Sequence, residues 1–381
     1  MATRVRVVVV GAGAFGGWTA LSLQRRGCEV VLIDAWGPGH VRSSSGGSSR
    51  VFRQSYANPE MVRLAGRARR LWIEEQERSG RRLFDPIGLV WLAPRRSELE
   101  RAVLSNLEGA SVPHEWIDAD RLAGMYPQIR TDDLEGAIVE PGAGVLRARE
   151  ACLAVRDALV EAGGAFRASW VEPGTTRSGR MEDVRLADGS SVSADAFVFA
   201  VGPWQAALLR RFAGWSLPVT RQETFVFGTP PGDDSFGPGR LPVWAYQGEE
   251  FWYGVPGDGD VGGFKVAVDR RGPGFDPTTG DRTPSAIGMG EARAFLEDRF
   301  PGMADAPLID ASVCQYTHAV DGRFLADRLQ GLSNAWVATG GSGHGFKHGP
   351  AVGETVGSLV LGEQSPGDDP AFSVCSEWHV T

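Results

Sequence analysis

"RVRVVVVGAGAFGGWTALSLQRRGCEVVLIDAW", Arg4 to Trp36, decides the fold. Its unbroken apolar run of valines predicts a strand buried on both faces, since a half-exposed strand would alternate with polar residues. A glycine turn follows and opens a helix that ends on Arg25 and Arg26 with Gly27 as its stop, and a second apolar run closes at Asp34. This is a βαβ unit. Gly11 permits the turn, Gly13 lets main chain approach a pyrophosphate, and Gly16 lets helix and strand pack closely. Asp34, 18 residues beyond Gly16, can accept from a ribose hydroxyl. A glycine turn alone can be accidental, but strand, helix and acid in register point to a dinucleotide. The motif leaves NAD and FAD open.

Downstream, "GHVRSSSGGSSRVFRQSYAN" (Gly39 to Asn58) has the composition of a solvated linker, yet Arg50 and Arg53, three apart, make it a candidate ligand-facing segment. The helical run from Pro59 follows, then short strands such as "GLVWLAP", a charged helix and turns to about Glu140. Another helix and the buried strand of "AFVFAVGPW" (Ala196 to Trp204) restore the nucleotide-binding pattern. Between Leu217 and about Asp310, "RQETFVF", "FWYGVPG" and "GGFKVAVD" alternate as an antiparallel sheet of a second domain. "AWVATGGSGHGFKHGPAVGETVGSLVL" gives a last strand, glycine loop and helix.

A chain of 381 residues suits two interleaved domains, and its 42% hydrophobic and 23% charged content is that of an ordinary soluble protein. The 51 glycines imply many tight turns and close main-chain approaches. A net charge of −8 argues against a nucleic-acid surface. Neither a cleavable leader nor a membrane span is expected, and the expected location is cytoplasmic. Cys28, Cys152, Cys314 and Cys375 form no CxxC pair, so neither disulfides nor a metal site are expected.

Five blocks in order, "SSRVFRQSY", "EPGAGVLRARE", "FVFAVGPW", "CQYTHAVDGRFLAD" and "GSGHGFKHG", give the whole chain a resemblance. It resembles the monomeric sarcosine oxidase and N-methyltryptophan oxidase group of the D-amino-acid oxidase superfamily. The fold this implies is α/β: a glutathione-reductase-type FAD-binding Rossmann domain (1–84, 140–217 and 311–381), interleaved with an antiparallel-sheet α+β substrate domain (85–139 and 218–310). The implied cofactor is FAD. Cys314 matches the cysteine that is bonded through sulfur to the flavin, against the plainer reading of a buried structural thiol. The resemblance assigns to the cofactor Gly11, Gly13, Gly16, Asp34, Ser49, Arg50, Val171, Cys314, Gly340, Gly341, Gly343, Gly345 and Lys347.

By the same resemblance Arg53 and Lys347 hold a substrate carboxylate, one by a planar bidentate fork and the other as a point charge. Lys265 matches the lysine that promotes oxidation by O2, where a fixed cation favours electron transfer to oxygen. Tyr253 matches a substrate-side aromatic wall, and sheet-core tyrosine is its rival reading. Two departures stand out. Ser45 and Gly46 occupy positions where sarcosine oxidases carry imidazoles, and Asp269 replaces another histidine, a pattern resembling the enzyme that oxidises piperideine-2-carboxylate. The implied reaction is oxidation of a secondary or cyclic amino acid to an imine, with O2 reduced to hydrogen peroxide, by a monomer. The alternatives are a flavin dehydrogenase with another acceptor and a non-catalytic flavin-binding module.

Overall fold

Val7 to Val9 have no exposed surface because strand Arg6–Val10 lies between Glu29–Asp34 and Ala196–Phe199, parallel to both. The computed structural model describes residues 4–257 and 263–375, apart from 211, 213 and 214. Strand Ala335–Thr339 joins in parallel beyond Ala196–Phe199, and Ala165–Ala168 joins beyond Glu29–Asp34, within a seven-stranded sheet. One face is covered by helices Ala14–Arg25, Pro59–Ser79, Ala148–Glu161 and Gly349–Val360. The other packs on a small three-stranded sheet containing Val171, Val184 and Val192. Helices Ala14–Arg25 and Gly349–Val360 touch main chain to main chain: a Cβ on Gly353 would lie 2.5 Å from the Trp18 carbonyl carbon.

The second layer is an eight-stranded sheet in the order Leu308–Thr317, Val219–Phe227, Phe264–Asp269, Phe251–Val255, Val243–Gln247, Leu89–Ala93, Gly136–Glu140, Glu115–Asp118. All its pairings are antiparallel except that of Val243–Gln247 with Leu89–Ala93. Strand Leu308–Thr317 runs unbroken across the boundary expected at residue 311, so Cys314 is carried by this sheet.

A strand's side chains alternate, so the sheet has two chemically different faces. Phe225, Phe227, Trp252, Phe264 and Val266 pack on helix Ala286–Arg299, with Phe295 stacked 4.7 Å from Trp252 and 5.4 Å from Trp244. Their neighbours face the other way. Gln222 pairs with Cys314, Tyr253 with Ala267, Val255 with Lys265 and Phe251 with Asp269. Lys265, Ala267 and Asp269 therefore share the face opposite that helix, where Lys265 reaches the Ser49 carbonyl.

Candidate active site

At the turn after strand Arg6–Val10, Gly11 has φ +102°, and a Cβ there would lie 2.3 Å from the Ala200 carbonyl oxygen. A Cβ on Gly16 would lie 1.9 Å from the Gly11 carbonyl oxygen, so helix and turn leave no room for any side chain. Asp34 ties the turn to the neighbouring strand: Oδ2 accepts from Ala12 N at 2.7 Å, and Oδ1 from Trp36 N and Gly37 N at 2.9 and 2.8 Å. The serine-rich segment is no solvated linker. Ser45 Oγ accepts from Ala14 N at 3.0 Å at the helix N-terminus, and Arg50 donates to the carbonyls of Ser44, Gly46 and Ser49.

These groups open on a cavity of ≈ 850 Å³, within the range of roughly 300–1,000 Å³ usual for dedicated ligand pockets. Gly11, Gly13, Asp34, Arg50 and Val171 line it, with Gly340, Gly341, Gly343 and Gly345 from the last glycine loop. Gly16 lies behind the lining and keeps the turn tight, and Ser49 Oγ is buried without a partner. Thr339, 2% exposed, also lines the cavity with its hydroxyl unpartnered. A main-chain cradle at a helix N-terminus with orphan hydroxyls fits a dinucleotide such as FAD.

The sheet supplies the opposite wall. Cys314, Lys265, Tyr253 and Tyr316 all line the cavity, and the two phenol oxygens lie 3.4 Å apart. Burial pushes Tyr253 up to about 12 and Tyr316 well above its ordinary value. Lys265 donates to the Ser49 carbonyl at 3.3 Å, and burial, helped by Arg50, lowers its pKa to about 7. Gly343 has φ +81° and would place a Cβ 2.6 Å from the Tyr316 ring, so the glycine loop and the sheet meet in close contact.

Beside this wall lies a charged cluster. The Arg53 guanidinium sits 4.4 Å from the Tyr56 ring centre, 5.1 Å from Trp91 and 5.9 Å from Phe251. Its segment is held from behind by Glu140, fully buried, which accepts from Gln54 N, Ser55 N and Ser55 Oγ. Lys347, 5% exposed, donates to Tyr56 Oη at 2.8 Å and to the His344 carbonyl at 3.1 Å. Burial and the nearby Arg53 push its pKa well down. Asp269 is exposed as a residue at the strand end, yet packing around its carboxyl raises its pKa against the pull of Arg53 and Lys347.

The structure thus brings Arg53, Lys347 and Asp269 into one electrostatic cluster, with Lys265, Tyr253 and Cys314 on the adjoining wall. The sequence reading missed Tyr56, His348, Trp91 and Glu140. Tyr56 carried a local signal, three residues after Arg53, whereas Glu140 and His348 act across more than 80 residues of chain and carried none.

The sequence profile of the FAD dependent oxidoreductase family (DAO) matches residues 6–359. Monomeric sarcosine oxidase of Bacillus sp. (strain NS-129) is 31% identical over 384 residues, covering 98% of this chain and 97% of that protein. N-methyl-L-tryptophan oxidase of Yersinia pestis (strain Pestoides F) is 27% identical, covering 97% and 98%. The crystal structure of L-proline dehydrogenase from P. horikoshii shares the fold at TM-score 0.83, with 20% identity over 96% of this chain and 95% of that one.

Proposed function

Because the chain belongs to the FAD dependent oxidoreductase family, we propose that it oxidises the C–N bond of a secondary or cyclic amino acid to an imine, with O2 reduced to hydrogen peroxide. The relatives are amino acid amine oxidases, and the observation that carries the reading is the cluster of Arg53 and Lys347 beside the Lys265 wall of the cavity. FAD, when bound, accepts the substrate's hydride and hands the electrons to oxygen.

The chain's own residues bind and orient. Arg53 and Lys347 would grip the carboxylate, since two cations held close in a buried site gain most from an anion. Tyr253 and the aromatic rings around Arg53 would exclude water from the amine. Asp269, beside Arg53 and Lys347, would favour a cyclic or cationic amine such as a piperideine-2-carboxylate. Lys265 would supply positive charge where oxygen is reduced.

Cys314 would hold FAD covalently: its thiol lines the cavity and forms no disulfide. Cys314→Ala is then expected to release flavin on acid precipitation, and flavin that stays attached would refute the linkage. The domain division, a monomeric state and a cytoplasmic location belong to the same proposal; the four unpaired thiols suit a reducing compartment. No helix among the described residues is long and apolar enough to cross a membrane.

Anaerobic titration of the yellow protein with secondary and cyclic amino acids tests the reaction. Bleaching followed by peroxide on admission of air is expected. Bleaching without reoxidation in air would instead favour a dehydrogenase.

A further inference from the structure

The Tyr56 hydroxyl has three polar neighbours: Lys347 Nζ at 2.8 Å, His348 Nε2 at 3.1 Å and His344 Nδ1 at 3.3 Å. A phenol has one hydrogen and two lone pairs, so three bonds saturate it and their directions can be assigned. Lys347 Nζ is the donor in its contact. Burial lowers the His344 pKa to about 3, so it is neutral; a hydrogen on His348 Nδ1 would be a buried donor without an acceptor, so the His348 hydrogen sits on Nε2 and the Tyr56 hydrogen goes to His344 Nδ1. His348 must then donate from Nε2 to the remaining lone pair. Its own pKa is pushed well down by burial, so its Nδ1 bears no hydrogen, and Nδ1 is buried without a partner. One assignment thus accounts for all three contacts and for the orphan nitrogen.

Lys347 donates to Tyr56 Oη and to the His344 carbonyl, and as the ammonium that a bound carboxylate would favour it has one N–H left. We propose that His348 is a positioning residue: by donating to Tyr56 Oη it turns the phenol's second lone pair onto Lys347 and holds the last Lys347 N–H toward a ligand carboxylate. This rests on the reading of Arg53 and Lys347 as the carboxylate site. His348 itself is fully buried behind Tyr56 and acts only through it.

The holoenzyme is titrated with acetate, followed by the perturbation of the flavin spectrum, with acetamide as the neutral control. His348→Phe is expected to raise the acetate dissociation constant about tenfold, the order of one charge-assisted hydrogen bond, and to leave acetamide unchanged. His348→Gln, whose amide N–H reaches the phenol, should restore most of the affinity. Tyr56→Phe should cost as much as His348→Phe, and the double variant no more than either, because the two act in series. Acetate binding unchanged in His348→Phe, or effects that multiply in the double variant, would overturn the proposal. Should His348→Phe not retain FAD, His348→Asn, too short to reach the phenol, takes its place in the same cycle. Arg53→Ala separates the two levels. If it leaves acetate binding intact, the carboxylate site itself is misread; if it weakens binding while the His348 variants do not, only the positioning role fails.

Discussion

At the helix end of the cavity the ligand surface is main chain; at the sheet end it is side chains. Gly11 and Gly16 leave a Cβ no room against neighbouring carbonyls, and Asp34 is occupied in holding the turn together. The sheet face instead presents Lys265, Tyr253, Cys314 and Asp269 on regular strands, with Arg53 and Lys347 brought against them from elsewhere. Main chain offers the same donors whatever the sequence, so the first end can recognise only a common group and tolerates no substitution. Side chains differ in charge and reach, so substrate choice is adjustable at the second end without disturbing the fold.

The largest loss is expected at the helix end. Gly16→Ala forces a Cβ to 1.9 Å from the Gly11 carbonyl oxygen, and a loss of more than about 3 kcal/mol with failure to retain FAD is expected. Gly27→Ala, at φ +89° with open space around it, should cost only about 1–2 kcal/mol and keep its flavin. Thermal melting and the flavin-to-protein ratio report both. Equal losses would mean that the close contact at Gly16 relaxes and that the cradle does not set the requirement for glycine.

At the sheet end the expected changes fall on rates and preferences. Lys265→Met should slow reoxidation by O2 on the order of a hundredfold in stopped flow while reduction by substrate changes little. Burial lowers the Lys265 pKa to about 7, so its positive charge is complete below that pH and is lost above it. Reoxidation should therefore fall as pH rises through about 7, and the Met variant should lack that step. The smallest effect is expected at Asp269. Asp269→Asn removes an anion beside Arg53 and Lys347, so acetate should bind about threefold tighter while a cationic amine substrate binds more weakly. If both ligands move in the same direction, the side chain acts by packing rather than by charge.

Periodicity made the layers legible. The valine run, the glycine spacing and the closing Asp34 are local patterns, and each element they imply is present, as are the alternating strands of the second sheet. The serine-rich stretch was misleading in composition. Its polar side chains resemble those of a solvated loop, yet Ser45 spends its oxygen on the first helix and the segment walls the cavity. Tyr56 and Lys347 meet across 291 residues, and no local pattern announces that a tyrosine will accept from a distant ammonium.

By itself the sequence determined where strands, turns and helices form, because periodicity and the steric freedom of glycine act over a few residues. It also carried the residue types a flavin oxidase needs. Which of those residues share a site was settled only when the glycine turns of the first sheet and one face of the second came to line the same cavity. Only that packing buries Glu140 and His348 away from water, and burial makes their hydrogen-bond partners obligatory and so fixes the directions in which Arg53 and Lys347 are presented.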